Sequence, residues 1–231
     1  MQPPIHVTTL SKVIQCPYNF KHAEYNIDIA KTIPWDTLNI SVLSNGPIDR
    51  YIQRYQDNFT VDFKQIQMMI KSFKEARDYV KDLKTDNFVY QEAKHYIKWN
   101  DYMIVWSTDL MIAPTLVWNI FRVEDLKFST HDYYMKPELM EYDAQSFIYP
   151  LMAMDYHKVD EVEFSFVCRD KKKGTMKKNT IIRHRQECQD YLDKVMMLYT
   201  ECEALGERPR CHNTFCEWCP LKDWCPERFT K

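Results

Sequence analysis

Residues 99–130 constrain the fold of this chain more than any other part of the sequence. They contain two runs rich in Tyr, Ile, Val, Trp and Phe, residues that favour β-strands, and the runs are joined through Ala113-Pro114. The first run carries a single acid, Asp109, which follows the apolar residues 103–106. The two runs therefore predict a pair of adjacent strands at the centre of a β-sheet.

The second run ends in a short charged element, Asp125-Leu126-Lys127. Residues two apart in a strand point to the same face, so Asp125 and Lys127 project together while Leu126 turns towards the core. Two acids on neighbouring strands can bind a divalent cation, and the lysine can place an ammonium beside an attacking water. A charged, solvated strand end is the alternative, and other motifs of the chain have to decide between the two.

Glycine is too scarce for two common nucleotide-binding motifs. The only glycines are Gly46, Gly174 and Gly206, and neither a phosphate-binding loop nor a dinucleotide-binding turn can be built from them. The sequence therefore excludes P-loop ATPases and Rossmann oxidoreductases.

The size and hydropathy pattern of the chain bound its class. A length of 231 residues predicts one domain, 1–231, with a sizeable core. The sequence has no run of about eighteen apolar residues and no signal peptide, which predicts a cytoplasmic protein without membrane contact. In a reducing compartment, its eight cysteines are more often metal ligands or buried thiols than disulfides.

Hydrophobic periodicity predicts several helices and one further strand. A helical start follows Gly46 at residues 47–59, and longer helix patterns occur in four segments: from Thr8 or Thr9 to Cys16, and at 61–83, 138–157 and 186–205. Residues 88–98 alternate as a strand would, with a helix as the alternative. In the helix at 138–157, Gln145 and Tyr149 are four residues apart and share one face.

Positive charge is concentrated in a predicted hairpin at residues 161–185, with its tip around Gly174. Because the net charge of the chain is −2, any surface for nucleic acid must be local. The hairpin is the best candidate for such a surface, although a charge run is usually only a solvated tip. Arg183 and Arg185 add to its charge, and its candidate contacts to backbone phosphates are Lys171, Lys172, Lys173, Lys177 and Lys178.

The tail has the cysteine spacing of a metal or cluster site. A Cys-x2-Cys-x5-Cys pattern offers several thiolates to one centre, and it is formed by Cys216, Cys219 and Cys225. Cys211 and His212 are alternative ligands that would close a local zinc site. Three further cysteines are predicted to be buried thiols: Cys168, Cys188 and Cys202.

Together these elements resemble the PD-(D/E)xK nuclease superfamily. Within it, the chain is similar to the RecB-like nucleases that carry an iron–sulfur cluster, such as AddB-type helicase–nucleases and CRISPR-associated RecB-like exonucleases. The opening SKVIQCPYNFKH resembles the first helix of that family, with its Cys-Pro pair. Asp109 matches the acid after the first core strand, Asp125-Leu126-Lys127 matches (D/E)xK, and Gln145 with Tyr149 matches Q-x3-Y.

The resemblance implies an α/β fold with a central mixed β-sheet flanked by helices, the restriction-endonuclease-like core. The catalytic core would span residues 99–157, and a helical insertion would cover about 46–84. The two ends, 1–22 and 206–231, would be joined by a 4Fe–4S cluster. By the same resemblance, its ligands are Cys16, Cys216, Cys219 and Cys225.

The activity implied by the resemblance is metal-dependent hydrolysis of DNA. Mg²⁺ or Mn²⁺ would be held by Asp109, Asp125 and the Leu126 carbonyl, while Lys127 orients the water. Gln145 and Tyr149 would act with them by positioning the DNA backbone. An exonuclease acting on single-stranded DNA or free ends is expected, with endonuclease activity as the alternative. A helicase or recombination protein would be its partner in recombination, repair or processing.

One family element has no clear match in this sequence. The family usually has a histidine or an acid on a helix before the core strands, and Asp49, His22 and Glu92 are the candidates, with Asp49 preferred. Two other functions compete with the nuclease: a catalytically silent DNA-binding or assembly module of the same fold, and a zinc-stapled structural protein.

Overall fold

The computed structural model describes residues 4–16, 63–91, 94–116, 119–127, 136–169 and 176–204. Its four α-helices in these ranges are α1 (Val7–Gln15), α2 (Phe63–Asp86), α3 (Gln145–His157) and α4 (Arg185–Ala204). The strands are β1 (Ile5–His6), β2 (Val89–Gln91), β3 (Lys94–Trp99), β4 (Tyr102–Ser107), β5 (Leu110–Ile112), β6 (Phe121–Lys127), β7 (Glu161–Arg169) and β8 (Met176–His184).

The larger sheet has five strands in the order β2-β5-β6-β7-β8. Strands β6 and β7 are parallel, and the other three pairs are antiparallel, so the sheet is mixed. Parallel strands need a long crossover, and α3 lies in the connection between β6 and β7. The predicted α/β fold class with a mixed sheet and flanking helices is therefore confirmed.

A second, smaller sheet has the order β1-β4-β3. Strands β3 and β4 form a hairpin in which Trp99 pairs with Tyr102, and Asn100 at its turn has a φ of 49°. This left-handed conformation is one that asparagine tolerates better than most residues.

The prediction of one strand over the first apolar run is wrong. The run is divided between β4 in the smaller sheet and β5 in the larger sheet, with the break at Thr108 and Asp109. Consequently β6 is paired with β5 and not with β4. In this pairing Leu110 lies opposite Glu124.

The helix predicted at 138–157 begins later than its sequence pattern indicates. Residues Pro137–Glu141 form a short 3₁₀-helix, and α3 starts only at Gln145. The Ser146 hydroxyl donates to the carbonyl oxygens of Met140 at 2.6 Å and Asp143 at 2.8 Å. These side-chain bonds stabilise a turn between the two helical segments, where a continuous helix was expected.

The other elements differ from the predictions mainly at their ends. Helix α2 runs a few residues beyond the expected 61–83, and residues 88–98 form the two strands β2 and β3. The returning strand of the hairpin was expected over residues 180–185, whereas β8 begins four residues earlier, at Met176. The predicted insertion at 46–84 falls partly outside the described residues, which include its second part as α2.

Helix α3 is the centre of the core. All of its residues from Gln145 to Met154 are buried, and it packs against α1, α4, β3 and β7. Burial of each large apolar side chain in such a core stabilises the fold by roughly 1.5–3 kcal/mol. Three cysteines are buried as predicted: Cys168, Cys188 and Cys202. Among the residues described, no helix is long and apolar enough to cross a membrane.

Candidate active site

Two predicted acids meet where β5 begins beside β6. Asp109 immediately precedes β5, and the pairing of Leu110 with Glu124 brings it alongside Asp125. Its carboxylate oxygen Oδ2 accepts a hydrogen bond of 2.7 Å from the backbone N–H of Leu126. The acid that was expected at the end of a single first strand therefore lies just before a separate strand, because β4 ends at Ser107.

The carboxyl group of Asp125 is close enough to perturb that of Asp109. Burial, the neighbouring charge of Asp125 and a hydrogen bond with the Asp125 carboxyl raise the pKa of Asp109 well above its usual range. Two adjacent carboxyl groups form an oxygen donor pair, and a divalent cation offsets the repulsion between their ionised forms. The pair thus fits Mg²⁺ or Mn²⁺ chemically.

Further protein ligands for such a cation are not assembled in the described ranges. No group of three or more Asp, Glu, His or Cys residues comes together there in a way that could hold a metal ion. The Leu126 carbonyl as an additional ligand stays a prediction. So does an acid or histidine from Asp49, His22 or Glu92, all of which lie outside the described residues.

Lys127 lies on the same face of β6 as Asp125, as the two-residue period of a strand requires. Its ammonium nitrogen is 2.6 Å from Asp125 Oδ2 and 5.6 Å from the centre of the Phe166 ring. The side chain of Lys127 is only 13% exposed and that of Asp125 only 8% exposed. The strand therefore presents one positive and one negative group from a largely desolvated position, where electrostatic interactions are stronger than in water.

Gln145 and Tyr149 form a pair on the first turns of α3. The Gln145 side-chain amide donates to the Tyr149 hydroxyl at 2.6 Å, and both residues are buried. The pKa of Tyr149 is raised well above its usual range, chiefly by burial and next by the charge of Asp125. Trp106 stacks on the Tyr149 ring with a centroid distance of 4.1 Å. The pair is thus fixed on the side of α3 that faces the two acids.

Asp143 is a site residue that the sequence analysis missed. Its Oδ1 accepts a 2.8 Å hydrogen bond from the backbone N–H of Gln145, two residues on, which closes a turn just before α3. Burial raises its pKa to about 6, against the lowering effect of the Gln145 N–H and of Lys127. Aspartate often forms such a turn, but a helix expected to begin at 138 left no place for a turn at 143.

The opposite face of β6 carries a second buried acid. Glu124 Oε1 is 2.5 Å from the Lys178 ammonium, and Glu124 Oε2 accepts a 2.5 Å hydrogen bond from the Tyr79 hydroxyl. Glu124 is 1% exposed. Lys178, predicted to contact DNA, is therefore engaged with a carboxylate inside the protein; its contact with DNA stays a prediction.

Several predicted site residues lie outside the described ranges. This group comprises Asp49, His22, Glu92, Lys171, Lys172, Lys173, Cys211, His212, Cys216, Cys219 and Cys225. Lys177 lies on β8 and is exposed, and Cys16 follows the end of α1 and is partly exposed.

Comparison with known proteins gives structural relatives only. No protein-family model matches the chain, and no curated protein matches it. The solved protein designated SSO0001 shares 14% identity at a TM-score of 0.53, over 100% of this chain and 89% of its own. A protein from Eubacterium rectale, described as a candidate exonuclease, shares 12% identity at a TM-score of 0.54. That alignment covers 92% of this chain and 86% of the other.

A weaker likeness is found to an alkaline exonuclease from Laribacter hongkongensis. It has a TM-score of 0.36 and 12% identity, over 73% of this chain and 86% of the exonuclease. At these identities the first two likenesses establish a shared fold, and the third adds nothing to that conclusion.

Proposed function

We propose that this protein is a DNA nuclease that hydrolyses phosphodiester bonds with the help of Mg²⁺ or Mn²⁺. The observation that carries the proposal is the meeting of Asp109, Asp125 and Lys127 at adjoining ends of β5 and β6. A carboxyl pair beside a largely desolvated lysine suits a reaction in which negative charge develops on a phosphate. The structural neighbour described as an exonuclease shares the fold, whereas the proposed activity rests on this site.

Each residue of the site has a distinct part in the proposed reaction. Asp109 and Asp125 would hold the cation, which when bound supplies Lewis-acid activation of water and offsets the charge on the phosphate. Lys127, oriented by its 2.6 Å contact with Asp125, donates hydrogen bonds to the attacking water and the phosphate oxygens. The Leu126 N–H keeps Asp109 turned towards this centre.

Gln145 and Tyr149 would hold the DNA backbone near the acids. Their mutual hydrogen bond fixes both side chains, which reduces the entropy lost when a phosphate is bound. Contacts of this kind carry no sequence information, so the proposed enzyme cuts without strong sequence preference. We further propose that it acts as an exonuclease on single-stranded DNA or free ends, with a helicase or recombination protein as partner.

The proposed nuclease is tested by cleavage of end-labelled linear DNA, in single- and double-stranded forms, with circular DNA to detect internal cuts. Cleavage should require Mg²⁺ or Mn²⁺ and stop with EDTA. D125A and K127A should each lower the rate roughly a hundredfold or more. K94A, which removes an exposed lysine on β3, is the matched control and should cleave at the parent rate. DNA binding without cleavage would identify the silent module instead.

We also propose a 4Fe–4S cluster held by Cys16, Cys216, Cys219 and Cys225. Among the four cysteines that the structure describes, Cys16 alone is not buried. The buried thiols are poor ligands; burial raises the pKa of Cys168 and Cys188 to about 12. Helix α1, which precedes Cys16, packs against α4, from which the chain continues to the tail cysteines.

The cluster is tested on protein prepared without oxygen. Roughly four irons per chain and a brown colour are expected, and both should be lost in C16S and C225S. C211S is the control and should keep them. Stoichiometric zinc in place of iron, or colour that survives C16S, would contradict the cluster and favour the zinc-stapled structure.

A further inference from the structure

Two arginines at the junction of β8 and α4 contact opposite ends of α3. Arg183, on β8, binds main-chain oxygens that precede or begin α3, whereas Arg185 binds residues at or beyond its other end. They are two positions apart and were expected to add to a basic DNA-binding hairpin. Their contacts instead point into the protein.

Arg183 is 6% exposed and uses most of its donor groups. Its Nε donates to the Ser146 carbonyl oxygen at 3.1 Å, and one terminal nitrogen donates to the Met140 carbonyl and to Ser146 Oγ. The guanidinium carbon lies 3.6 Å from the centre of the Phe147 ring. The other terminal nitrogen, Nη1, is 3.5 Å from Glu187 Oε1. A planar fork that bonds two carbonyls and stacks on a ring is a geometry that lysine cannot reproduce.

Arg185 makes a comparable set of contacts at the far end of α3. It donates to the Asp155 carboxylate, to Asp160 Oδ1 at 3.0 Å and to the Val159 carbonyl at 2.8 Å. None of these residues belongs to the candidate active site. Arg185 therefore offers a natural control for the loss of an arginine brace on the same helix.

The turn held by Arg183 leads directly into α3, which begins with Gln145. Ser146 is fully buried, and its hydroxyl joins the carbonyls of Met140 and Asp143 at 2.6 and 2.8 Å. Asp143 in turn fixes the N–H of Gln145. A shift of this turn would move Gln145 and its partner Tyr149 relative to Asp125 and Lys127.

We propose that Arg183 is a positioning residue of the active site, which holds Gln145 and Tyr149 opposite Asp125 and Lys127 by bracing the amino end of α3. The proposal rests on the proposed nuclease function for its catalytic consequence. It assigns Arg183 no contact with DNA. An arginine buried for this purpose must have its charge satisfied, and Glu187, the two carbonyls and the Phe147 ring do so.

The test compares R183K with R185K, which keep the charge but lose the fork at opposite ends of one helix. With DNA cleavage as readout, R183K should lower kcat roughly tenfold to a hundredfold, since a displacement of about 1 Å in a site costs this much. R185K should stay close to the parent rate although both variants lower the melting temperature. An equal loss of kcat in the two variants, or none in R183K, would overturn the proposal.

Amide hydrogen exchange provides a second readout that does not depend on cleavage. R183K should speed exchange in residues 140–148 at least about tenfold, whereas R185K should do so around 155–160. S146A, which removes the hydroxyl that joins the turn, should speed exchange in the same segment as R183K and is used if R183K does not fold. If the parent protein does not cleave DNA, the proposed function fails. The exchange pattern then still tests whether Arg183 braces the amino end of α3. Indistinguishable patterns in R183K and R185K would refute it.

Discussion

Consecutive residues of β6 carry two acid–lysine pairs that face opposite sides of the sheet. On one side, Asp125 lies 2.6 Å from Lys127; on the other, Glu124 lies 2.5 Å from Lys178. The two pairs are nearly alike in length and in the burial of the acid. They differ in what else surrounds the carboxylate.

Glu124 has both oxygens engaged, one by Lys178 and the other by the Tyr79 hydroxyl. It is a closed site with little capacity to coordinate anything further. Asp125 instead has a second acid, Asp109, as its neighbour, and burial with that neighbour raises the pKa of Asp109. A pair of acids held together at such a cost is typical of a functional site, whereas a closed ion pair is typical of a structural one.

The largest expected difference between the two faces is in catalysis. D109N removes a proposed cation ligand and should lower the rate of metal-dependent DNA cleavage roughly a hundredfold or more. E124Q changes a carboxylate of the closed site and should retain most of the rate. Initial cleavage rates at saturating Mn²⁺ are measured for both variants. An equal loss of rate in D109N and E124Q would contradict a catalytic role for one face and a structural role for the other.

The next effect is on stability, and we expect it on the Glu124 face of the sheet. K178A leaves the Glu124 carboxylate buried beside Tyr79 alone, which should lower the free energy of unfolding by roughly 2–3 kcal/mol. That figure is below the usual cost of breaking a buried pair because Lys178 is partly exposed and screened. E124Q should cost less than K178A, since it leaves behind a partly exposed ammonium. Urea denaturation gives both values, and a smaller loss in K178A would contradict the closed-site interpretation.

A pH-dependent effect is expected at Asp143, which lies near Asp125 and Lys127. Its pKa is raised to about 6 by burial, so the folded wild type loses stability as the pH rises from about 4 through 6 and this acid ionises. D143N keeps an oxygen acceptor for the Gln145 N–H but has no charge to bury. It should match the wild type below about pH 4 and exceed it by roughly 3 kcal/mol at pH 8, since the pKa is raised by about two units and one unit corresponds to about 1.4 kcal/mol. The free energy of unfolding of both proteins is measured from pH 4 to 8. If the two curves are parallel, ionisation of Asp143 does not destabilise the folded protein.

The features that sequence predicted well are local ones. Strand period alone places Asp125 and Lys127 on one face, and helix period alone brings Gln145 within hydrogen-bonding distance of Tyr149. The α/β class was implied instead by the resemblance of these motifs to a nuclease superfamily. Helix ends were less accurate, because the turn before α3 depends on the buried Ser146 hydroxyl and on an arginine from β8.

The features that sequence missed depend on residues far apart in the chain. Glu124 meets Tyr79 across 45 positions and Lys178 across 54, and no local pattern signals either contact. The break at Asp109 was not recognised because apolar runs lie on both sides of the short polar stretch 107–109, and only the partners of each strand assign the runs to separate sheets. Charge density likewise gave no sign that Arg183 points inward.

Binding of Mn²⁺ tests the central claim, that one face of β6 is a metal-dependent site and the other is not. Electron paramagnetic resonance reports free Mn²⁺ directly, so it counts bound ions without relying on catalysis. We expect saturable binding in the wild type and in E124Q, and its loss in D109N, because Asp109 joins Asp125 as an oxygen donor whereas both oxygens of Glu124 are already engaged. Mn²⁺ binding in D109N equal to that of the wild type would contradict the claim, as would its loss in E124Q when that variant remains folded.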